Sequence, residues 1–280
     1  MEFTDEPLEP FGEKLLEMSV PTQLSFKTPL VFRMVKELKA RGCLPWTGSH
    51  RAELCFDEAL TNAMVHGNKL DPSRKVHVKL FADSENWGAI IEDQGDGFKP
   101  EDVPSAESDD FLFRESGRGI LLMSAYLDTL RYTRKGNKLC MVRHRQVEPE
   151  EAEVEAAVET EAAPAAAMGP VNIMHDDGID IIEILAARVN DENVDPIREA
   201  ISKLVTGRVL LDMTHTEYIS SVGLSALVAI YKQSKLKGGR LALTGVQPAV
   251  KDILQGARLI SIFRIFPDRA TAVKELRKDE

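Results

Sequence analysis

A glutamate-rich stretch from Val147 to Pro170 divides the chain in two. It holds seven glutamates, many alanines and three prolines, it has no aromatic residue, and no Lys or Arg occurs between Arg145 and Arg188. A segment with so little apolar surface does not form a packed core, and prolines interrupt a helix. We therefore predict two domains, at residues 1–146 and 171–280, joined by an acidic linker at 147–170.

The overall composition disfavours several classes of protein. A formal net charge of −10 argues against a nucleic-acid surface. No run of 18 apolar residues is present, so we expect no membrane span, and the acidic Met1–Pro10 does not resemble a secretory signal. The three cysteines are widely spaced and form no CxxC pair, which favours a reducing cytoplasm over disulfides or structural zinc. We expect all three to be small buried apolar residues: Cys43, Cys55 and Cys140.

Hydrophobic periodicity in the first half predicts an α+β domain, with helices on one face of a mostly antiparallel sheet. Predicted strands lie at 23–27, 76–81, 87–92, 129–133 and 139–145, and predicted helices at 29–41, 49–66 and 119–126. Residues 98–116 are polar and acidic, which indicates a long loop. The second half predicts an α/β sheet that follows an initial hairpin. Its predicted strands lie at 171–174, 179–185, 208–213, 241–243 and 260–265, and its helices at 195–205, 221–233, 248–255 and 270–278.

The second predicted helix carries residues suited to phosphoryl transfer. Glu58, Asn62 and His66 are four residues apart and therefore share one helix face. An asparagine oxygen suits Mg²⁺, and a glutamate one turn away can accept a proton from an attacking hydroxyl. The alternative is an exposed polar helix face without a ligand.

Two glycine-containing segments accompany this helix. Asp93–Gly97 follows a predicted strand, and its glycines permit a ligand to approach the backbone while Asp93 accepts a hydrogen bond from the amino group of adenine. Gly117–Gly119 precedes a helix whose free N–H groups suit phosphates. Each segment taken alone also fits an ordinary turn.

The order and spacing of these motifs resemble the GHKL (Bergerat-type) ATPase sandwich, and within it the small anti-sigma-factor serine kinases, over Ser19–Arg145. The resemblance implies that ATP and Mg²⁺ bind, that Glu58 is the catalytic base, and that Asn62 is the magnesium ligand. It further implies that Ser116–Gly119 closes a lid over the phosphates. The residues it assigns to nucleotide binding are Arg33, Asn62, Asp93, Gly95, Gly97, Ser116, Gly117 and Gly119. In the final hairpin, Gly136-Asn137 replaces the usual Gly-Thr pair, and this departure predicts weaker nucleotide binding.

In the second half, an apolar strand ending at Asp212 is followed by Ser220-Ser221-Val222-Gly223 at a helix start. A serine there is a good helix cap, and a phosphate at a helix N-terminus is favoured by the free N–H groups. The segment resembles the STAS domain of anti-sigma-factor antagonists over Val171–Lys278. That resemblance implies an α/β fold and phosphorylation of Ser221. Ser220 stands where the family has Asp and Val222 where it has Ser, so the alternatives are phosphorylation of Ser220 and a binding role without phosphorylation.

Together the two resemblances predict a partner-switching regulator in which a serine kinase is joined to its STAS substrate or binding domain. Expected partners are a sigma factor or another STAS or kinase protein, with intramolecular contact through the linker and a homodimer through the kinase domain; neither nucleic acid nor membrane is expected. One alternative is a catalytically weak, nucleotide-binding module that clamps partners without phosphorylating them. A second alternative is an ATPase that releases free phosphate.

Overall fold

The computed structural model describes residues 1–44, 49–99, 118–145 and 170–278. The chain forms two compact units, Met1–Val147 and Glu148–Glu280. The predicted linker and nearly all of the predicted loop at 98–116 lie outside the described residues, as do Ser116 and Gly117.

The first unit contains a six-stranded sheet in the order β1-β5-β6-β4-β3-β2. Its strands are β1 Glu2–Thr4, β2 Glu13–Pro21, β3 Lys75–Ala82, β4 Asn86–Glu92, β5 Thr129–Thr133 and β6 Lys138–His144. Neighbouring strands are antiparallel apart from β1 and β5, which confirms the predicted sheet type. The two N-terminal strands were not predicted, because β1 has three residues and β2 intersperses charged with apolar side chains.

Within the described residues this unit has three α-helices: α1 Lys27–Ala40, α2 Ser49–Thr61 and α3 Arg118–Tyr126. The predicted strand at 23–27 is wrong, since a 3₁₀ turn, Leu24–Phe26, leads directly into α1. The helix begins at Lys27, two residues before the predicted start at Pro29. Pro29 lies in the first turn of α1, where its missing N–H leaves no helix hydrogen bond unmade. The three helices are in contact through α2, which therefore lies between the other two.

The second unit contains a five-stranded sheet in the order β13-β12-β10-β8-β7, parallel except for the hairpin of β7 with β8. Its strands are β7 Val171–Asp176, β8 Ile179–Ile184, β10 Arg208–Asp212, β12 Arg240–Thr244 and β13 Arg264–Phe266, and a separate short pair joins β9 Arg188–Val189 with β11 Tyr218–Ile219. Its helices are α4 Asp195–Ser202, α5 Ser221–Leu236, α6 Pro248–Gly256 and α7 Arg269–Arg277. The predicted strand at 260–265 is largely wrong, because Leu259–Ile262 is closed by a turn hydrogen bond and pairing begins at Arg264.

All three cysteines are buried, and burial raises the pKa of each thiol, as expected for small core residues. Among the helices of the described ranges, none is long and apolar enough to cross a membrane.

Candidate nucleotide site and phosphoacceptor

Glu58 is buried at the junction of α2 and α3. The residue is 3% exposed, which argues against a simple solvated helix face. A methyl group added to Gly119 would overlap Glu58 Oε2, so the carboxylate lies against the backbone of the first turn of α3. Free N–H groups and the helix dipole at that position favour negative charge.

Asn62 begins a π-helical segment, Asn62–Gly67, that follows α2. Such segments often occur at functional sites. A π-helical turn is wider than an α-helical turn, so residues four positions apart no longer share one face. The predicted common face of Glu58, Asn62 and His66 therefore does not extend to His66, which is exposed. Asn62 Nδ2 and the Tyr132 hydroxyl are both buried and make no hydrogen bond within the described residues. Burial raises the pKa of Tyr132, and the neighbouring Asn62 side chain partly offsets that rise.

Asp93 lies at the end of β4, packed against glycine backbone. The residue is 8% exposed, and a methyl group on Gly67 would overlap its carboxyl group. The Gly95 N–H donates a 2.8 Å hydrogen bond to Asp93 Oδ1. Burial nevertheless raises the pKa of Asp93 to about 6. A buried carboxyl group with one protein donor and a raised pKa is typical of a ligand-binding position.

Asn68 holds these segments together, a role that the sequence did not reveal. The residue is fully buried. Its Nδ2 donates to Thr22 Oγ1 at 2.8 Å and to the Lys75 carbonyl at 3.0 Å, and its Oδ1 accepts from Gln94 N at 2.8 Å. One side chain therefore ties the end of the π-helical segment to β3 and to the loop that carries Asp93.

Asn137 supports the same loop from the turn between β5 and β6. Its side-chain Nδ2 donates to the Asp93 carbonyl, and its own carbonyl accepts from the Asp93 N–H, both at 2.9 Å. The neighbouring Gly97 has a φ of +77° and abuts the Lys135 carbonyl. The residue that departs from the family pattern thus has a structural function here.

A buried ion pair lies beside Glu58. Lys27 Nζ is 2.9 Å from Asp57 Oδ1 and donates a 3.1 Å hydrogen bond to Thr61 Oγ1, and both charged side chains are at most 7% exposed. The pair joins the first turn of α1 to α2 one residue from Glu58. Its charged members escaped the sequence analysis because neither belongs to a recognisable motif.

Glu58, Asn62 and Asp93 therefore border one region formed by α2, the π-helical segment, the β4 loop and the start of α3. Arg33 differs, since it lies on the exposed side of α1 and shows no ion pair within the described residues.

The residues present fit a magnesium–nucleotide complex. The Asn62 side-chain oxygen suits Mg²⁺, and its buried Nδ2, which has no partner in the described residues, can donate to a phosphate oxygen. Gly67, Gly95 and Gly119 allow the close packing that positions the carboxyl groups of Asp93 and Glu58. In the part of the chain that the structure describes, no group of three His, Cys, Asp or Glu residues could hold a metal alone. One amide ligand is sufficient for Mg²⁺ when substrate phosphates and water complete its coordination.

The two serines at the start of α5 have different surroundings. Ser220 is the helix cap, is 1% exposed, and its Oγ accepts a long hydrogen bond of 3.5 Å from Gly223 N. Ser221 occupies the first helical position and is half-buried. Ser221 is therefore the more accessible hydroxyl, whereas Ser220 performs the capping role for which an Asp is equally suited.

Comparison with known families agrees with the two folds. Residues 21–143 match the histidine kinase-like ATPase domain, and residues 171–272 match the STAS domain. These matches confirm the predicted order of the two domains.

Similar individual proteins match the second half. The Bordetella bronchiseptica protein BtrV, named an anti-sigma factor antagonist, is 30% identical over 95 residues, covering 33% of this chain and 82% of that protein. The anti-sigma F factor antagonist of Paenibacillus polymyxa is 26% identical over 110 residues, covering 38% of this chain and 93% of its own. A solved anti-sigma-factor antagonist (STAS) domain protein from Planctomyces limnophilus is 20% identical, covers 39% of this chain and 99% of its own, and gives a TM-score of 0.36.

Proposed function

We propose that this chain, which belongs to the STAS family and carries a histidine kinase-like ATPase domain ahead of its STAS domain, is a partner-switching regulator with ATP-dependent protein-serine kinase activity. The observation that carries the kinase assignment is the position of Glu58: a buried carboxylate against the N-terminal turn of α3, one helical turn from Asn62.

Each residue has a distinct part in the proposed reaction. Asp93, when ionised, accepts a hydrogen bond from the amino group of adenine, and Gly67 and Gly95 permit the close packing that positions its carboxyl group. The Asn62 side chain holds Mg²⁺, which when bound neutralises charge on the phosphates. Glu58 accepts the proton of the attacking serine hydroxyl as the γ-phosphoryl group passes to that oxygen and ADP is released.

Ser221 is the acceptor in this proposal. Its hydroxyl lies at the start of α5, where the product phosphate gains from the helix dipole. The added charge of nearly −2 changes the surface that α5 presents to a partner, and this change gives the switch a physical basis. Sigma-factor regulators and STAS or kinase proteins are the proposed partners, and the cytoplasm is the proposed location.

The catalytically weak module is the second candidate, and Asn137 is the observation that favours it. Its amide is committed to the Asp93 backbone, at the position where the kinase family has a threonine hydroxyl. The two candidates agree on nucleotide binding and differ only in phosphate transfer.

The test is incubation of the full chain with Mg-ATP, followed by mass spectrometry of the α5 peptide and an assay of free phosphate. Phosphate on Ser221 supports the kinase, and free phosphate without phosphoserine supports the simple ATPase. Nucleotide binding with neither product supports the weak module. Absence of nucleotide binding contradicts all three.

A further inference from the structure

Two buried polar atoms of the first unit have no hydrogen-bond partner within the described residues. One is Asn62 Nδ2, at the start of the π-helical segment, and the other is the hydroxyl oxygen of Tyr132, in β5. The two side chains are neighbours: burial raises the pKa of Tyr132, and the adjacent Asn62 amide partly offsets that rise. A buried polar group without a partner costs free energy in a folded chain, so this pair calls for an explanation.

Aromatic packing fixes the position of the Tyr132 ring. Phe3 is the register partner of Tyr132 in the parallel pairing of β1 with β5, and the two rings stack with their centroids 5.6 Å apart. Phe98 meets the same tyrosine ring edge-on, with centroids 4.9 Å apart, and it directly follows the loop Asp93–Gly97. Tyr132 itself is 4% exposed. The hydroxyl group is therefore held by β1 and by the end of the loop that carries Asp93.

The amide of Asn62 needs a defined orientation to act as a metal ligand. Its oxygen is an acceptor that suits Mg²⁺, whereas its nitrogen is a donor with no free lone pair for a cation. Rotation of the amide by half a turn exchanges these two atoms. A neighbouring group that accepts a hydrogen bond from Nδ2 selects the orientation in which the oxygen is available to the metal, and a phenol oxygen can accept such a bond.

We propose that Tyr132 is a positioning residue for the magnesium ligand, because its hydroxyl oxygen accepts a hydrogen bond from Asn62 Nδ2 and so directs Asn62 Oδ1 toward Mg²⁺. The inference rests on nucleotide binding in the proposed function and does not depend on phosphate transfer. The contact uses one hydrogen of Nδ2, and the other hydrogen can still reach a phosphate oxygen. Hydrogen bonds at such sites often tighten only when the complex forms.

A purely structural role of the hydroxyl makes a different prediction about stability. Tyr132→Phe keeps the ring and its packing against Phe3 and Phe98. It removes only a hydroxyl that makes no hydrogen bond within the described residues, so the urea midpoint of the nucleotide-free protein should stay the same or rise. A lower midpoint would assign the hydroxyl a structural role and overturn the proposal.

The main experiment measures the affinity of the full chain for ATP by calorimetry, once with excess Mg²⁺ and once in EDTA. The ratio of the two affinities is the gain from magnesium. For Tyr132→Phe we expect this gain to be about three to ten times smaller than in the wild type, whereas the affinity in EDTA should stay within about twofold. The matched control is Tyr218→Phe, which removes the hydroxyl of a buried tyrosine in the second unit and should change neither value.

A second pair of variants tests the orientation of the amide itself. Asn62→Asp presents two equivalent oxygens, so no neighbour has to select between them. Tyr132→Phe made in the Asn62→Asp background should therefore reduce the gain from magnesium by less than about twofold. A direct contact between the hydroxyl and the nucleotide would instead give the same loss in both backgrounds.

Three results overturn the proposal: a wild-type gain from magnesium in Tyr132→Phe, an equal loss of ATP affinity in EDTA, or an equal effect in the Asn62→Asp background. In each of these cases the wild type still binds Mg-ATP, and the proposed function stands. A wild type whose ATP affinity does not rise with Mg²⁺ overturns this proposal together with the proposed magnesium role of Asn62.

Discussion

Asn137 and Asp93 exchange two hydrogen bonds of 2.9 Å, one from each residue to the backbone carbonyl of the other. The turn between β5 and β6 therefore determines where the β4 loop presents the Asp93 carboxyl group. The sequence identified Asn137 only as a departure from a family pattern. Its two hydrogen bonds show that Asn137 holds the Asp93 loop in place.

Replacing Asn137 by Ala is expected to remove one of these bonds and leave the Asp93 carbonyl unsatisfied. The free energy of unfolding should fall by about 1 kcal/mol, and ATP should bind more weakly because the Asp93 loop is less well positioned. Urea denaturation and calorimetry measure the two effects. Unchanged ATP affinity in a variant that is measurably destabilised would show that Asn137 does not contribute to nucleotide binding.

The ionisation of Asp93 is expected to make stability depend on pH. Burial raises the pKa of this carboxyl group from 3.8 to about 6, so the folded chain holds an extra proton between these values. The contribution of Asp93 to stability is therefore greatest below pH 3.8 and declines as pH rises through 6. An Asp93→Asn variant should lack this decline in denaturation experiments over the same range.

Adenine binding should show the opposite dependence on pH. The ionised carboxylate is the better acceptor, so affinity should fall by up to about tenfold for each pH unit below 6. Calorimetry at a series of pH values measures the slope, and Asp93→Asn should bind more weakly with no slope. A wild-type affinity that is constant through pH 6 would refute the adenine role of Asp93.

Two glycine substitutions are expected to separate binding from chemistry. Gly67→Ala places a methyl group on the Asp93 carboxyl and should weaken ATP binding about tenfold or more. Gly119→Ala instead displaces Glu58 Oε2 and should reduce phosphate transfer while adenine binding is largely retained. Calorimetry and a phosphorylation assay on both variants check the pattern. Equal loss of both properties in both variants would mean that the two positions do not have separate roles.

The buried pair of Lys27 and Asp57 should be essential for stability. Lys27→Met leaves the Asp57 carboxylate without its ion-pair partner at 2.9 Å, and the unfolding free energy should drop by about 3–5 kcal/mol. The double variant Lys27→Met with Asp57→Leu should recover most of the loss, because it removes both charges together. A double variant as unstable as Lys27→Met would contradict this explanation, because the loss of stability would then not come from the unpaired Asp57 carboxylate.

Local sequence patterns predicted most of the helices and strands. They did not predict contacts between segments that are distant in the sequence. Helical periodicity located α1 and α2, and the turn at Gly178 located the hairpin of β7 and β8. The burial of Asn68 and the pairing of Lys27 with Asp57 bring together residues that are tens of positions apart. The π-helical segment was missed because its sequence continues an ordinary helical pattern into Gly67.

In the candidate site, too, local motifs were predicted from the sequence and contacts between distant segments were not. Motif order selected Glu58, Asn62 and Asp93, and the structure places all three around one region; their roles remain predictions. The support from Asn137 depends on a contact between two turns, which no spacing rule reveals. Burial raises the pKa of Tyr132 in β5 and the Asn62 side chain partly offsets that rise, and a lone tyrosine in a strand gave no indication of that proximity.

Glu58 is proposed to promote phosphate transfer to Ser221. The most direct test of this role measures the transfer of labelled γ-phosphate from Mg-ATP to the full chain. The assay compares the wild type with Glu58→Ala, Ser220→Ala and Ser221→Ala, and ATP binding is measured on each protein. We predict label on Ser221 in the wild type and in Ser220→Ala, and almost none in Glu58→Ala or Ser221→Ala, although both still bind ATP. Undiminished labelling of Glu58→Ala, or ATP binding by the wild type without any phosphoserine, would contradict the account.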